Sequence, residues 1–258
     1  MDSMFKFFPE NDIIRFVDKL SSSLGDELSV GLKELEIEEK NSVSKGYLKW
    51  DLFNKNCIRT FSYGDLVARY ARRGPWHMVP LVDFRIGYIF TVMRMERFKQ
   101  LSKSKSKRKK AHYVDAFVES FNFDVRGASQ LSIFLEKQFG EDEIAKIVDG
   151  ILNDMQIDKS IIQKYAVILF DEFNHELISL KCCIINSELE IVDEEDWSSY
   201  IKHKEPLVTE VFDKEDNSQY QQSVQLSAKA KNRAKQRKTV DEKKKQEEQK
   251  KRTINKNV

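Results

Sequence analysis

The chain has 258 residues, 40% of them hydrophobic, with 17 Phe and 3 Trp, enough to bury one substantial core or two small ones. The apolar segment Phe5–Phe8 is ended by Pro9 and Glu10, too soon for a signal-peptide core. No run reaches the roughly 18 apolar residues of a membrane helix, and Cys57, Cys182 and Cys183 lack the spacing of a disulfide framework, so a cytoplasmic protein with reduced thiols is expected. The net charge of +2 conceals a sorted distribution: 8 basic against 11 acidic residues in 1–57, 14 against 3 in 58–110, 9 against 24 in 111–227, and 13 against 4 in 228–258. Basic blocks attract polyanions, and acidic blocks repel them or dock onto basic partners.

In chain order, Ile13, Phe16, Val17, Leu20 and Leu24 recur at helical spacing and predict a helix over 10–24, with Pro9 suited to its start. Residues 26–40 read as strand. Tyr47–Phe53 and Cys57–Tyr63 are rich in aromatic and β-branched residues around Asn54-Lys55-Asn56, which predicts a hairpin. Asp65–Arg73 reads as a short helix that Arg73-Gly74-Pro75-Trp76 must break. A second hairpin is expected from Met78–Phe84 and Tyr88–Met93, with Gly87 in its turn. Residues 94–101 read as helix and 102–110 as a basic loop or solvated helix end.

Helices are expected along the stripe Tyr113, Val114, Phe117, Val118 and Phe121, around Leu131, Phe134 and Leu135, and from Ile144 to Met155, where Glu141, Asp142 and Glu143 favour the first turn. A third hairpin should join Tyr165–Phe170 to Leu177–Ile185, with the adjacent Cys182 and Cys183 on opposite faces. A short strand at Leu189–Val192 and a helical turn at 196–201 carrying Trp197 against the core follow. The expected class is α+β, antiparallel hairpins packed with amphipathic helices. The folded region is 1–212, as one body or as subdomains 1–101 and 111–212 joined by 102–110. Residues 213–258 form a charged, low-complexity basic tail, disordered or solvated helix.

The strongest binding candidate is the arginine and aromatic segment. Seven of the 13 arginines lie between Arg59 and Arg97. Guanidinium forks grip phosphate oxygens and exposed aromatic rings stack on bases. The candidate phosphate contacts are Arg69, Arg72, Arg73, Arg94, Arg97, Lys103, Lys105, Lys107, Arg108, Lys109 and Lys110, with Trp76 for stacking. The competing account is structural: aromatics in the core, and arginine stems covering apolar surface and pairing with the acidic block. Glu194, Glu195 and Asp196, within the acidic run 188–196, are candidates for docking a basic partner or this chain's own tail.

No motif for catalysis, metal or cofactor stands out. His77, His112, His175 and His203 lack zinc-type spacing, and there is no glycine-rich phosphate loop. The carboxylate sets Asp171, Glu176 with Lys181, and Glu34, Glu36 with Asp51, would be needed for a metal-dependent nuclease and have no recognisable spacing.

Around Arg72-Arg73-Gly74-Pro75-Trp76, Asp83, Arg94 and Glu194-Glu195-Asp196-Trp197-Ser198, over residues 47–201, the chain resembles an uncharacterised bacterial domain family with no assigned activity. The resemblance implies a phage or mobile-element setting and assigns no residue a role. The expected function is non-enzymatic nucleic-acid binding through backbone phosphates. The alternatives are a protein–protein adaptor assembled by opposite charge, and then a nuclease.

Overall fold

The computed structural model describes residues 9–37, 44–74, 76–126 and 138–202. The first helix, α1 (Glu10–Leu24), forms where its apolar stripe predicts it, and all five stripe residues are buried. Residues 26–40 are a correction: Asp26–Glu34 is a helix, α2, with Leu28 and Leu32 buried one turn apart and Asp26 and Glu27 in the first turn. That spacing and acidic start outweigh the scattered apolar positions, because Val30 and Leu35 are exposed.

The hairpin expected at 47–63 is a single helix, α3 (Lys45–Thr60). Phe53 and Cys57 lie on its buried face, and Phe16 of α1 meets Phe53 edge to face at 5.7 Å. The supposed turn at 54–56 stays helical. Asn56 donates from Nδ2 to Ser23 Oγ at 2.9 Å and to Glu27 Oε2 at 2.8 Å, so buried polar contacts to α1 and α2 occupy the groups that would favour a turn.

The helix expected at 65–73 is instead two strands, β1 (Leu66–Ala68) and β2 (Ala71–Arg73). β2 pairs only with β3 (Trp76–Met78), as an antiparallel ribbon set off from the main sheet. The second hairpin forms as expected, from β4 (Leu81–Asp83) and β5 (Tyr88–Arg94). Gly87 has φ +67, and a Cβ added there would meet the Ile161 carbonyl oxygen at 2.7 Å. Gly87→Ala is therefore expected to lower stability by about 2 kcal/mol or more, read as a shifted urea midpoint with an unchanged m-value.

Beyond β5 come α4 (Met95–Lys103), a 3-10 turn at Lys105–Lys107, α5 (Tyr113–Phe121) and α6 (Glu141–Met155). The third hairpin is β6 (Lys164–Phe173) with β7 (Glu176–Ile185). β8 (Ile191–Asp196) carries the acidic run as strand, and Trp197 is fully buried ahead of a 3-10 turn.

Six strands form one sheet in the order β1-β4-β5-β6-β7-β8. The fold is α+β, but the sheet is mixed: β5 and β6 run parallel. A parallel pair needs a long crossover, and residues 95–163, with α4, α5 and α6, supply it. Strands from both sides of 102–110 thus share the sheet. Successive strand residues alternate between two cores. Tyr165, Val167, Leu169 and Cys183 pack with α4, α5 and α6, while Ala166, Ile168, Phe170 and Cys182 pack with α1 and α3.

All three cysteines are buried free thiols. Among the described residues no helix is long and apolar enough to cross a membrane. These residues belong to one compact unit, Met1–Lys204. The stripe at 131–135 and the tail 213–258 lie outside the described residues.

Candidate nucleic-acid interface

A cleft of about 630 Å³ opens between the first half of α3 and the β2–β3 ribbon, over the end of β5, with Arg97 of α4 and Tyr113 of α5 on its lining. The ribbon's sequence sets its contents. Ala71 is buried in the core beside α6, so the strand is anchored there, and Arg72 and Arg73 are left exposed. The Arg72 backbone N–H donates to Asp154 Oδ2 of α6 at 2.7 Å. Gly74, at φ +59, lets the chain turn sharply, so that Arg73 and Trp76 face each other across the ribbon. Trp76, 48% exposed, stacks on Tyr47 of α3 with ring centroids 5.2 Å apart and planes 4° from parallel.

Arg73, Arg94 and Arg97 line this cleft together with Trp76. Arg73 lies over the Tyr113 ring, 5.2 Å from its centroid, and among the described residues it has no carboxylate partner. Nor has Arg97, whose one side-chain bond is to Gln100 Oε1 at 3.4 Å. Arg94 is less free: it pairs with Glu172, which also accepts from Lys49 Nζ at 2.5 Å. The three side chains carry a net positive charge, and the Arg94 side chain remains 42% exposed.

Electrostatics record the crowding of cations. Burial, then the charges of Arg73, Arg108 and Arg97, push the His112 imidazole down to about 3, so it is neutral near pH 7. His112 caps α5 by accepting from the Val114 N–H at Nδ1, 3.3 Å away. That cap fixes the tautomer with the proton on Nε2. Arg73 Nη1 lies 3.4 Å from this nitrogen, so the guanidinium and the imidazole are in direct contact.

The remaining predicted contacts scatter. Arg69 is exposed and donates to the Ser62 and Ala68 carbonyls at 3.2 and 3.1 Å. Arg72 lines a neighbouring hollow of about 740 Å³ with Tyr70, His77 and Asp154. Lys103, Lys107, Lys109 and Lys110 are exposed and lack carboxylate partners among the described residues. Lys105 is buried and lies 3.6 Å from Glu188. Arg108 is held by Asp115 through two contacts of 2.6 and 2.7 Å. Lys105 and Arg108 are thus committed to the structure rather than offered to solvent.

Of the acidic candidates, Glu194 pairs with Lys181 at 2.6 Å, Asp196 accepts from the Ser198 N–H at 2.8 Å, and Glu195 Oε2 is buried without a hydrogen bond. All three lie on β8, at the edge of the sheet, where charge discourages strand addition. Among the described residues no three His, Cys, Asp or Glu side chains are grouped as metal ligands.

Tyr47, Trp50, Asp51, Asn54, His77 and Tyr113 line the cleft, and none of them was among the binding candidates read from the sequence. Four of them sit on α3, whose helical register had to be known before they could share a wall.

Searches of curated proteins and of solved structures found no match to this chain. A family model matches residues 6–245, nearly the whole sequence, and its description is a family of unknown function. The chain belongs to that family, DUF5986.

Proposed function

We propose that this protein binds nucleic acid through backbone phosphates, with the cleft between α3 and the β2–β3 ribbon as the principal contact. The observation that carries this reading is that Arg73 and Arg97 open onto one cleft beside the exposed Tyr47–Trp76 stack with no carboxylate partner among the described residues. Unpaired guanidinium groups next to exposed rings suit a ligand that is both anionic and aromatic. The exposed Lys99, Lys103, Lys107, Lys109 and Lys110 add cationic surface on and beyond α4. Such a protein is not expected to need a cofactor. The three buried free thiols suit a reducing cytoplasm.

Binding of labelled oligonucleotides, followed by anisotropy from about 50 to 200 mM salt, tests the reading. A linear fall in log K with log salt is expected. Arg73→Ala and Arg97→Ala should each make the single-strand slope shallower by about 0.7 and weaken all sequences similarly. A slope near zero in the unmodified protein rejects the proposal.

A further inference from the structure

We infer that the cleft seats one unpaired nucleotide of a single strand, its base against the Tyr47–Trp76 stack and its phosphate on Arg73 and Arg97. This rests on the nucleic-acid reading above and narrows it to a class of ligand. Volume is the first argument. About 630 Å³ falls in the range of sites that enclose a small molecule, roughly 300–1,000 Å³. A duplex, whose major groove alone is about 12 Å wide, does not enter it.

The lining chemistry is the second argument. A surface that tracks duplex backbone needs cations alone. Here Tyr47 and Trp76 are 53% and 48% exposed and already parallel to one another. Both line the cleft, where a base would extend the stack, and every base offers a face for it. Trp50, on the same helix as Tyr47, is only half-buried and also lines the cleft.

Spacing is the third argument. Arg73 and Trp76 are cross-strand partners at the ribbon's turn. One nucleotide could therefore reach a guanidinium with its phosphate while its base lies on the indole. Arg97 lines the same cleft, so a phosphate on Arg73 has a second guanidinium within the site. Tyr113, buried under Arg73, holds that guanidinium from below.

The test compares four probes at one salt concentration: a single-stranded oligonucleotide of mixed sequence, the same strand annealed to its complement, an abasic strand of equal length, and inorganic polyphosphate. Trp76→Leu and Tyr47→Ala serve as variants; both residues are exposed, so neither change opens the core. The expected result is preference for the intact single strand, with a loss of roughly 5- to 150-fold in each variant and little change for polyphosphate. Equal affinity for single strand and duplex, equal affinity for abasic and intact strands, or variants that bind as the parent does, would each overturn the one-nucleotide site. In those cases the phosphate-binding reading survives on its salt dependence. Failure to bind any of the four probes overturns both.

Discussion

Asp115→Asn is expected to cost about 3–5 kcal/mol of folding stability, because it strips the counter-ion from a largely buried arginine. Asp115 is 2% exposed. Its two oxygens take both contacts from Arg108 Nη2, and Oδ2 also accepts the His112 N–H at 2.8 Å. Burial raises the Asp115 carboxyl above the usual range, although the His112 N–H and the Arg108 and Lys105 charges pull it down. Desolvation therefore outweighs the pairing, and the two ions are tolerated together rather than net stabilising. Asparagine keeps the shape and one acceptor, but leaves the largely buried guanidinium charge without its counter-ion.

The loss should then be repaired by a second change. Arg108→Met in the Asp115→Asn background removes the stranded charge and is expected to recover about half or more of the loss. Urea melts of the four proteins in the cycle check this. Additive losses, with the double variant less stable than Asp115→Asn alone, would show that the pair is not what Asp115 supports. The consequence reaches the cleft, since α5 begins at this cap and carries Tyr113, the ring under Arg73.

That architecture was legible in the sequence wherever burial follows a simple period. The stripes of α1 and α6 are one-sided and the hairpins β4–β5 and β6–β7 are bounded by turns, so local pattern and tertiary burial agree. α3 defeats that logic. Its buried face includes Lys49, Asn54 and Asn56, so the apolar stripe is broken, and its aromatic richness imitates strand. Only the partners reveal the helix, and they lie about 30 residues away in α1 and α2.

The site was half legible for the same reason. Its arginines stand out by count. Which of them are free depends on carboxylates elsewhere: Glu172 meets Arg94 from 78 positions along the chain. The opposite wall, Tyr47 to Asn54, becomes a wall only when α3 is a helix. The parallel step between β5 and β6 was equally out of reach, because it depends on which strand the crossover returns beside.

His112 links the cationic cluster to stability. Its imidazole titrates near 3 in the folded chain and near 6.5 when unfolded. Below about pH 6.5 the unfolded chain takes up a proton that the folded chain refuses, so acid favours unfolding. Stability should fall by up to about 1.4 kcal/mol per pH unit between about 6.5 and 3. The groups bearing on the ring are Arg73 of β2, Arg97 of α4, Arg108 ahead of α5, and Asp115 within α5. Asp115, held above its ordinary value by burial, contributes with the opposite sign, and it is present in parent and variant alike. His112→Asn separates the effects, since asparagine is a good N-cap and does not titrate. Between pH 7 and 5 the parent protein should lose about 2 kcal/mol more than the variant, read from urea midpoints at the two pH values. Parallel losses in the two proteins would mean that the ring takes its proton freely, and that Arg73 and Arg97 do not crowd it with positive charge. An oligonucleotide bound at Arg73 should narrow the same gap, because its phosphate offsets the Arg73 charge, which after burial holds the imidazole down.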